Sequence, residues 1–285
     1  MASGHMHPLA LALACVFPLA HAEETSTLPT VTVTAKGYAS ENMETPAAVT
    51  VLDRQSWLDA GAQNVGGALR GRPGLAVASD GAQGQNPVIR GLKKESVVLL
   101  VDGMRLNSAQ PAGAIASFMS LGLAERGEVV KGPASVLYGT GALGGAINVL
   151  LPQAQFAPGV RLNANAGFAS ASRGTDGSGV INASAGDHAL MLGAAASRIG
   201  DYRSPEGKVA RTDYDSDSFI GQHRFRLDGA QQLRLSLQQH TDRDVWYPGS
   251  AKPGTPALLG IVTVRSPHQA RRLAELGYSR KGGGD

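Results

Sequence analysis

The sequence predicts an α+β domain followed by antiparallel transmembrane β-barrel strands, about six in number, that form an incomplete barrel. From residue 159, segments of about ten residues alternate apolar and polar side chains, as membrane-barrel strands do. Before that point the pattern is mixed, with helix caps, short apolar runs and tight turns. The 37 glycines among 285 residues favour a β-rich chain with many close backbone contacts.

Residues 1–22 are predicted to be a secretory signal peptide. Leu9–Leu19 is an apolar run too short to span a bilayer, and Ala20-His21-Ala22 is a small-residue cleavage pattern. A buried helix is the alternative interpretation of this run. Residues 23–37 are predicted to be a mobile N-terminal segment. Within it, Thr30–Thr34 alternates strictly, which suits strand addition to the sheet edge of a partner.

Residues 38–152 are predicted to fold as one compact α+β unit. Asp53 is positioned to cap a helix over Arg54–Ala60, and a second helix is expected over Val65–Leu69. Asp102-Gly103 is a strong signal for a two-residue hairpin. Strands are expected at Ala47–Leu52, Val88–Arg90, Val97–Val101, Met104–Leu106, Glu128–Lys131, Ser135–Tyr138 and Ala146–Leu150, with a third helix at Ile115–Leu123.

Residues 159–285 are predicted to begin a transmembrane barrel. The alternation runs through Val160–Ser172, Gly177–Gly186, Ala189–Ile199, Asp215–Asp228, Gln231–Thr241 and Gln269–Arg280. Asp187-His188 and Gly229-Ala230 are short connections, whereas Gly200–Tyr214 and Asp242–His268 are long and polar. This alternation is expected when one end of a barrel faces the periplasm and the other faces outside. A soluble β-sandwich is the alternative, although its connections need not alternate in length.

Composition and motifs argue against an enzyme and against a nucleic-acid partner. The net charge is +3 with 17% charged residues, so no strong field exists to attract nucleic acid. Gly139–Gly144 matches G-x-G-x-x-G, but a β-prone run follows it and no acidic residue lies between Glu128 and Asp176. A dinucleotide site needs a helix and an acidic residue there. The histidines after residue 22 are isolated in sequence, so neither a metal site nor a cofactor is predicted.

Several motifs in order resemble the plug domain of TonB-dependent outer-membrane receptors. They are Ile89-Arg90-Gly91, Leu99–Gly103, Glu128–Pro133, Tyr138-Gly139 and Gly144–Val149. The resemblance implies that residues 38–152 are a plug inside a barrel. Because plugged barrels close with about 22 strands, residues 159–285 would be a truncated start of that barrel. Gly127 departs from the family pattern, which has a β-branched strand residue at this position, and a glycine there weakens the strand.

The resemblance also implies a function, namely TonB-dependent uptake of an iron complex, either a ferric siderophore or haem, by an outer-membrane receptor. The partners would be TonB, that ligand and outer-membrane lipid. A passive outer-membrane porin and a soluble periplasmic binding module remain alternatives. The TonB box, the strand that pairs with TonB, would be Thr30, Val31, Thr32, Val33 and Thr34. Contacts between plug and barrel are expected at Arg90, Glu125, Arg126, Glu128 and Lys131. Ligand-facing plug loops are expected to include Gln83, Gln85, Asn86, Asn107 and Gln110.

Overall fold

The computed structural model describes residues 31–32, 40–41, 48–79, 81–106, 121–248 and 262–280. The predicted signal peptide lies outside these residues. The N-terminal elements are β1 Val31–Thr32, β2 Ser40–Glu41, β3 Ala48–Asp53, α1 Arg54–Asp59, α2 Val65–Leu69, β4 Leu75–Ser79, β5 Gln85–Ile89, β6 Leu92–Lys93, β7 Val97–Val101, β8 Met104–Arg105, β9 Arg126–Lys131, α3 Ser135–Tyr138 and β10 Gly145–Leu150. They are followed by β11 Gly159–Ala169, β12 Gly174–Ala185, β13 His188–Ile199, β14 Arg203–Ser204, β15 Gly207–Lys208, β16 Tyr214–Arg226, β17 Gln231–Pro248 and β18 Val262–Arg280.

Two short helices begin where the sequence predicts them. α1 begins after Asp53, whose carboxylate accepts the backbone N–H of Ser56 at 2.7 Å. α2 begins after Asn64, whose side-chain oxygen accepts the backbone N–H of Gly67 at 2.8 Å. Both caps satisfy backbone donors that the first turn of a helix leaves without partners. α2 packs against β4 and β5, which form a three-stranded sheet with β6.

A five-stranded sheet with the order β3-β9-β10-β7-β8 is the centre of the N-terminal domain. β10 and β7 run parallel, and the other neighbours are antiparallel. Asp102 and Gly103 have positive φ values of 49° and 80° and close the predicted hairpin between β7 and β8. All of β7 is buried, and its alternate residues belong to two apolar clusters. The mixed α+β unit predicted from the sequence is therefore present.

Of two further local predictions in this domain, one is wrong and the other lies mostly outside the described residues. Ser135–Tyr138 was predicted as a strand but forms α3, because the N–H groups of Leu137 and Tyr138 both donate to the carbonyl of Ala134 at 3.0 Å. Gly139 ends this single turn with a φ of 77°. Most of the predicted helix Ile115–Leu123 lies outside the described residues, and its last three residues are bends.

The C-terminal half is an antiparallel meander of six long strands with the order β11-β12-β13-β16-β17-β18. All six predicted segments are strands, and β14 and β15 pair as a small hairpin in the long connection after β13. The prediction of a loop over Asp242–His268 is wrong at both ends, because β17 continues to Pro248 and β18 begins at Val262. Among the described residues, no helix is both long and apolar enough to cross a bilayer.

The six-stranded sheet has two chemically different faces. Leu190 and Leu237 are exposed on one face at 44% and 51% of their surface. Met191, Gln222 and Gln238 are buried on the other. The alternation predicted for these strands is thus present, with exposed leucines directed outward and polar residues, together with a few apolar ones, directed toward the N-terminal domain. This is the arrangement of a membrane-barrel wall whose inner face receives another domain.

Candidate functional site

One apolar cluster joins the N-terminal domain to the inner face of the wall. Ala189 and Met191 of β13 and Ile220 of β16 are fully buried in the same cluster as Trp57 and Leu69. Burial of a large apolar side chain is worth about 1.5–3 kcal/mol. All these residues belong to one compact unit of structure. Packing across this contact therefore contributes to holding the two domains together.

Arg54 of α1 reaches the wall through its guanidinium group. Its Nη2 donates to Ser178 Oγ of β12 at 2.8 Å, and its Nη1 donates to the carbonyl of Ala124 at 2.7 Å. Burial lowers the pKa of Arg54, although the field of Glu125 acts in the opposite direction. Even with that shift, a guanidinium stays charged at neutral pH, so these are charge-assisted bonds.

Asp102, in the turn between β7 and β8, makes a second polar contact with the wall. Its Oδ2 accepts from Gln238 Nε2 of β17 at 3.0 Å, and its Oδ1 accepts from the backbone N–H of Leu151 at 2.9 Å. Burial raises the pKa of Asp102 to about 6, although these hydrogen bonds and the nearby Arg234 oppose the change. The carboxyl group of Asp102 thus links the turn by hydrogen bonds to the wall and to the segment that leads into β11.

The third polar contact is centred on Asp242 of β17, which is almost completely buried. Its Oδ2 accepts from Gln83 Nε2 at 2.8 Å, and its Oδ1 accepts from Ser216 Oγ at 2.6 Å. His240 Nε2 lies 3.2 Å from the same Oδ2, and His240 Nδ1 lies 2.9 Å from Ser218 Oγ. An imidazole that donates from Nε2 to Asp242 and accepts at Nδ1 from Ser218 satisfies both of these contacts. Gln83 is therefore held by a carboxylate that the wall itself orients.

A cavity of about 400 Å³ separates α1 and the loop after it from the wall. Its lining combines polar and apolar side chains and includes Arg54, Trp57, Asn64, Phe168, Asp176, Tyr214, His240 and Asp242. Tyr214 begins β16, so the cavity lies toward the ends of the strands that lead into the long connections. In the part of the chain that the structure describes, no three His, Cys, Asp or Glu side chains converge to hold a metal ion.

Of the charged residues predicted at the contact with the barrel, Arg126, Glu128 and Lys131 have partners inside the N-terminal domain. Arg126 Nη2 lies 2.7 Å from Glu128 Oε1, and the Glu128 side chain is fully buried. Lys131 Nζ donates to a backbone carbonyl at 3.3 Å, and Arg90 adopts a left-handed backbone with a φ of 50°. Glu125 acts on Arg54 through its field. Contact of these five residues with barrel strands stays a prediction.

The residues predicted in ligand-facing loops have different positions. Gln83 lies in the loop between β4 and β5 and binds the wall through Asp242. Gln85 and Asn86 belong to strand β5 rather than to a loop, because they pair with Ser79 and Ala78 of β4. Of the other two predicted residues, both Asn107 and Gln110 lie outside the described residues.

The segment predicted to bind TonB is described only in part. Val31 and Thr32 form β1, which pairs antiparallel with Glu41 and Ser40 of β2. Thr30, Val33 and Thr34 lie outside the described residues. The predicted strand conformation is thus present at two positions, and the pairing with TonB stays a prediction.

Sequence reasoning missed the wall residues that hold the N-terminal domain. Ser178, Gln238 and Asp242 are scattered along β12 and β17, and Asp242 was assigned to a loop. The available signal was the polar face of each strand, since Gln238 alternates with exposed leucines. That pattern identifies the inner face of the wall but does not identify the partner of each side chain.

The comparisons with known proteins agree with this architecture. Residues 41–146 match the family model described as the TonB-dependent receptor plug domain. The N-terminal domain is a TonB-dependent receptor plug. The hemin receptor of Yersinia pestis is 31% identical over 299 residues, which cover 96% of this chain and 42% of that receptor. A vitamin B12 transporter of Vibrio vulnificus is 37% identical over 150 residues, which cover 52% of this chain and 24% of the transporter. The chain thus spans less than half the length of these relatives.

Solved structures show the same fold of a plug and barrel strands. The ferric enterobactin receptor of Pseudomonas aeruginosa superposes with a TM-score of 0.66 at 16% identity, over 89% of this chain and 40% of that receptor. The copper transporter OprC gives a TM-score of 0.61 at 22% identity, over 68% of this chain and 30% of the transporter. The fold and the relatives place the chain among outer-membrane receptors. The family is one of transport receptors rather than of enzymes.

Proposed function

We propose that this chain is the plug and first wall strands of an outer-membrane receptor that imports an iron complex with energy supplied through TonB. The observation that supports this most directly is the plug seated on the inner face of the wall through Gln83–Asp242 and Asp102–Gln238. Haem is the first candidate for the cargo, because the hemin receptor of Yersinia pestis matches 96% of the chain. A ferric siderophore is the second candidate.

We further propose that Thr30–Thr34 is the strand to which TonB binds. In support, the segment alternates strictly in sequence, and Val31–Thr32 already has extended backbone that pairs with another strand. An extended segment can add to the edge of a partner sheet with main-chain hydrogen bonds. Force applied there would act on the plug from its N-terminal side, which is the side from which β3 enters the central sheet.

A growth experiment tests the uptake function. The receptor that carries this chain is expressed in a bacterial strain that makes no siderophore and lacks its own haem receptors. Haemin is then the sole iron source, and parallel cultures receive a ferric siderophore instead. We expect growth on haemin. Deletion of Thr30–Thr34 should abolish growth while binding of haemin to whole cells is retained, and deletion of Glu23–Thr27 is the matched control that should leave growth intact.

Each rival function gives a different result in this experiment. Growth that survives the deletion of Thr30–Thr34, or that persists in a host without TonB, would identify a passive porin. A protein recovered from the periplasmic fraction instead of the outer membrane would identify a soluble binding module. Growth on the siderophore and not on haemin would keep the TonB-dependent uptake and replace the cargo.

A further inference from the structure

The linker that joins the plug to the wall, residues 151–158, is bound along the inner face of the wall. It contains neither helix nor strand, yet Leu151 and Ala154 are buried. Buried backbone groups outside a helix or sheet need hydrogen-bond partners from elsewhere in the fold. The N–H of Leu151 donates to Asp102 Oδ1 at 2.9 Å, and the N–H of Ala154 donates to Gln222 Oε1 at 2.7 Å. Side chains outside the linker therefore satisfy its buried N–H groups.

Arg224 of β16 binds the linker through a backbone carbonyl. Its Nη1 donates to the carbonyl of Ala154 at 2.8 Å, and its Nη2 donates to Gln232 Oε1 at 2.8 Å. A hydrogen bond from a guanidinium group is charge-assisted and is stronger than a bond between neutral groups. Gln222 and Arg224 are alternate residues of one strand, so they hold the N–H and the carbonyl of Ala154 from the same face of the sheet.

The ring of Phe156, two residues further along the linker, is contacted by two guanidinium groups. The Cζ atom of Arg226 lies 4.0 Å from the ring centroid, and the Cζ atom of Arg224 lies 5.2 Å from it. Both distances are within the range of cation–π attraction. The ring also packs against the apolar cluster that joins plug and wall. Phe156 is thus held by electrostatic attraction and by apolar contact.

These contacts offset an unfavourable arrangement of charge on the wall. Arg224 lies directly opposite Arg234 in the register of β16 and β17, and like charges in such a pair repel each other. Arg226 adds a third cation on the same face of β16. Glu275 pairs with Arg234. Arg224 and Arg226 instead face the carbonyl oxygen and the aromatic ring of the linker, both of which carry partial negative charge.

The linker is attached to β16 although it leads into β11. Because β13 and β12 lie between those two strands in the sheet, the chain crosses three strand spacings, or about 14 Å, after Ala154. The stretch from Ala154 to Gly159 can extend to about 17 Å, so the linker has little slack. β16 has a neighbouring strand on both sides, so this attachment is independent of the two edges of the sheet.

We propose that Arg224 is a positioning residue of the receptor, which fixes the linker to the wall and thereby keeps the C-terminal end of the plug seated between transport events. The inference goes beyond the proposed function, since it applies to any cargo. Without the guanidinium group, the Ala154 carbonyl loses its charged donor and the ring of Phe156 loses one of its two cations. The linker can then lift from the wall, and the plug can shift until solutes pass beside it.

The first measurement is hydrogen exchange, followed by mass spectrometry, in the purified receptor that carries this chain, in detergent. The variants are R224Q, which removes the charge, and R224K, which keeps the charge and a donor for the Ala154 carbonyl. R198Q is the matched control, because Arg198 is an exposed arginine of the neighbouring strand β13 and pairs with Asp217 rather than with the linker.

We expect exchange in residues 151–157 to be about 10-fold faster in R224Q than in the unchanged receptor, as loss of a charge-assisted hydrogen bond allows. R224K should restore most of the protection, and R198Q should leave it unchanged. Exchange in the buried strand β7 should be the same in all four proteins, because the effect is local to the linker. Linker exchange that is equal in R224Q and R198Q, that R224K does not slow, or that rises together with exchange in β7 would overturn the proposal.

The second measurement is passive leak through the receptor in cells that lack TonB. The probe is vancomycin, which is too large for ordinary porins. R224Q should lower the inhibitory concentration of vancomycin, whereas R224K and R198Q should not. Absence of a leak in R224Q would also overturn the proposal, because the plug would then stay seated without the arginine. Neither measurement uses a cargo, so the proposed uptake of an iron complex can fail while this inference stands.

F156L carries the test if R224Q does not assemble in the outer membrane. Leucine keeps the apolar contact of Phe156 and removes the aromatic face that the two guanidinium groups contact. Exchange in residues 151–157 should then be about 3-fold faster, as loss of cation–π attraction allows, and F156W should restore it. Unchanged exchange in F156L would contradict the role of the arginines.

Discussion

Replacement of Asp102 by asparagine should stabilise the plug at neutral pH. The carboxyl group is half-buried in the turn between β7 and β8, and burial raises its pKa from 3.8 to about 6. Between about pH 4 and about pH 6, the folded chain keeps a proton at Asp102 that the unfolded chain has already lost. The stability contributed by this proton is complete below about pH 4 and is lost as the pH rises to about 6.

The size of the effect follows from the pKa difference. A pKa difference of about 2 corresponds to about 3 kcal/mol, and solvent access to a half-buried group reduces that to about 1–3 kcal/mol. Asparagine can keep both hydrogen bonds of the turn. Its Oδ1 can accept from Leu151, and its Nδ2 can donate to the Oε1 atom of Gln238 after the glutamine amide rotates, since that Oε1 has no partner now. Asparagine also tolerates the φ of 49° at Asp102.

The measurement is denaturant unfolding of the receptor in detergent at about pH 4 and about pH 7.5, followed through Trp57. Every tryptophan of the receptor other than Trp57, Trp246 included, is replaced by phenylalanine to isolate the plug signal. D102N should match the parent at the lower pH and exceed it by about 1–3 kcal/mol at the higher pH. Equal stability of the two proteins at both pH values, or a parent that gains stability relative to D102N as the pH rises, would refute the reasoning.

Two other predictions concern packing and the wall contact. G127V should lower the free energy of unfolding by about 1–3 kcal/mol, because a Cβ at Gly127 would lie 3.3 Å from Cζ3 of the buried Trp57. The double variant W57L/G127V should recover part of that loss when denaturant unfolding is followed by circular dichroism instead of through Trp57, and additive losses would contradict the packing argument. Q83L should destabilise the seated plug by about 1–3 kcal/mol, because it removes a donor from the buried Asp242 carboxylate. Q85L, which removes hydrogen bonds to Arg70 and to the carbonyl of Ala82 but none to the wall, is the matched control, and hydrogen exchange in the plug that is no faster in Q83L than in Q85L would exclude the contact.

Local sequence signals predicted the elements whose backbone they control directly. Asp102-Gly103 predicts a hairpin because both residues tolerate positive φ, and Asp53 predicts a helix start because its side chain satisfies an N–H group. The single turn of α3 was missed because its apolar residues suit a strand, whereas its conformation depends on the Ala134 carbonyl and on Gly139. Such a short segment adopts whichever backbone its flanking turns allow.

The end of β17 shows why a run of charged residues can be mistaken for a loop. Asp242, Arg243 and Asp244 together indicate a loop in the sequence, yet the strand continues through them. Arg243 forms an ion pair with Asp217 on β16, and Asp244 forms one with Arg265 on β18. The charges of Arg243 and Asp244 are compensated across the sheet, and no pattern within one segment can reveal a partner that lies on another strand.

The departure at Gly127 is explained by a residue far away in the sequence. The family pattern has a branched side chain at this position, and the glycine alone suggests a weakened strand. In the fold, the ring of Trp57 occupies the space beside Gly127, which pairs with Leu52 of β3 and Val149 of β10. The volume lost at one position is thus restored by a large side chain at another.

Ala189, Met191 and Ile220 belong to the wall by sequence and to the plug core by packing. Extraction of the whole plug would expose these side chains to water, together with the plug residues that cover them. The free-energy cost is about 1.5–3 kcal/mol for each large side chain. Movement of a limited segment of the plug requires far less free energy if these apolar side chains stay covered. A pulling force on the N-terminal strand would then unfold part of the plug. The apolar contact made by Ala189, Met191 and Ile220 would stay in place while a passage opens beside it.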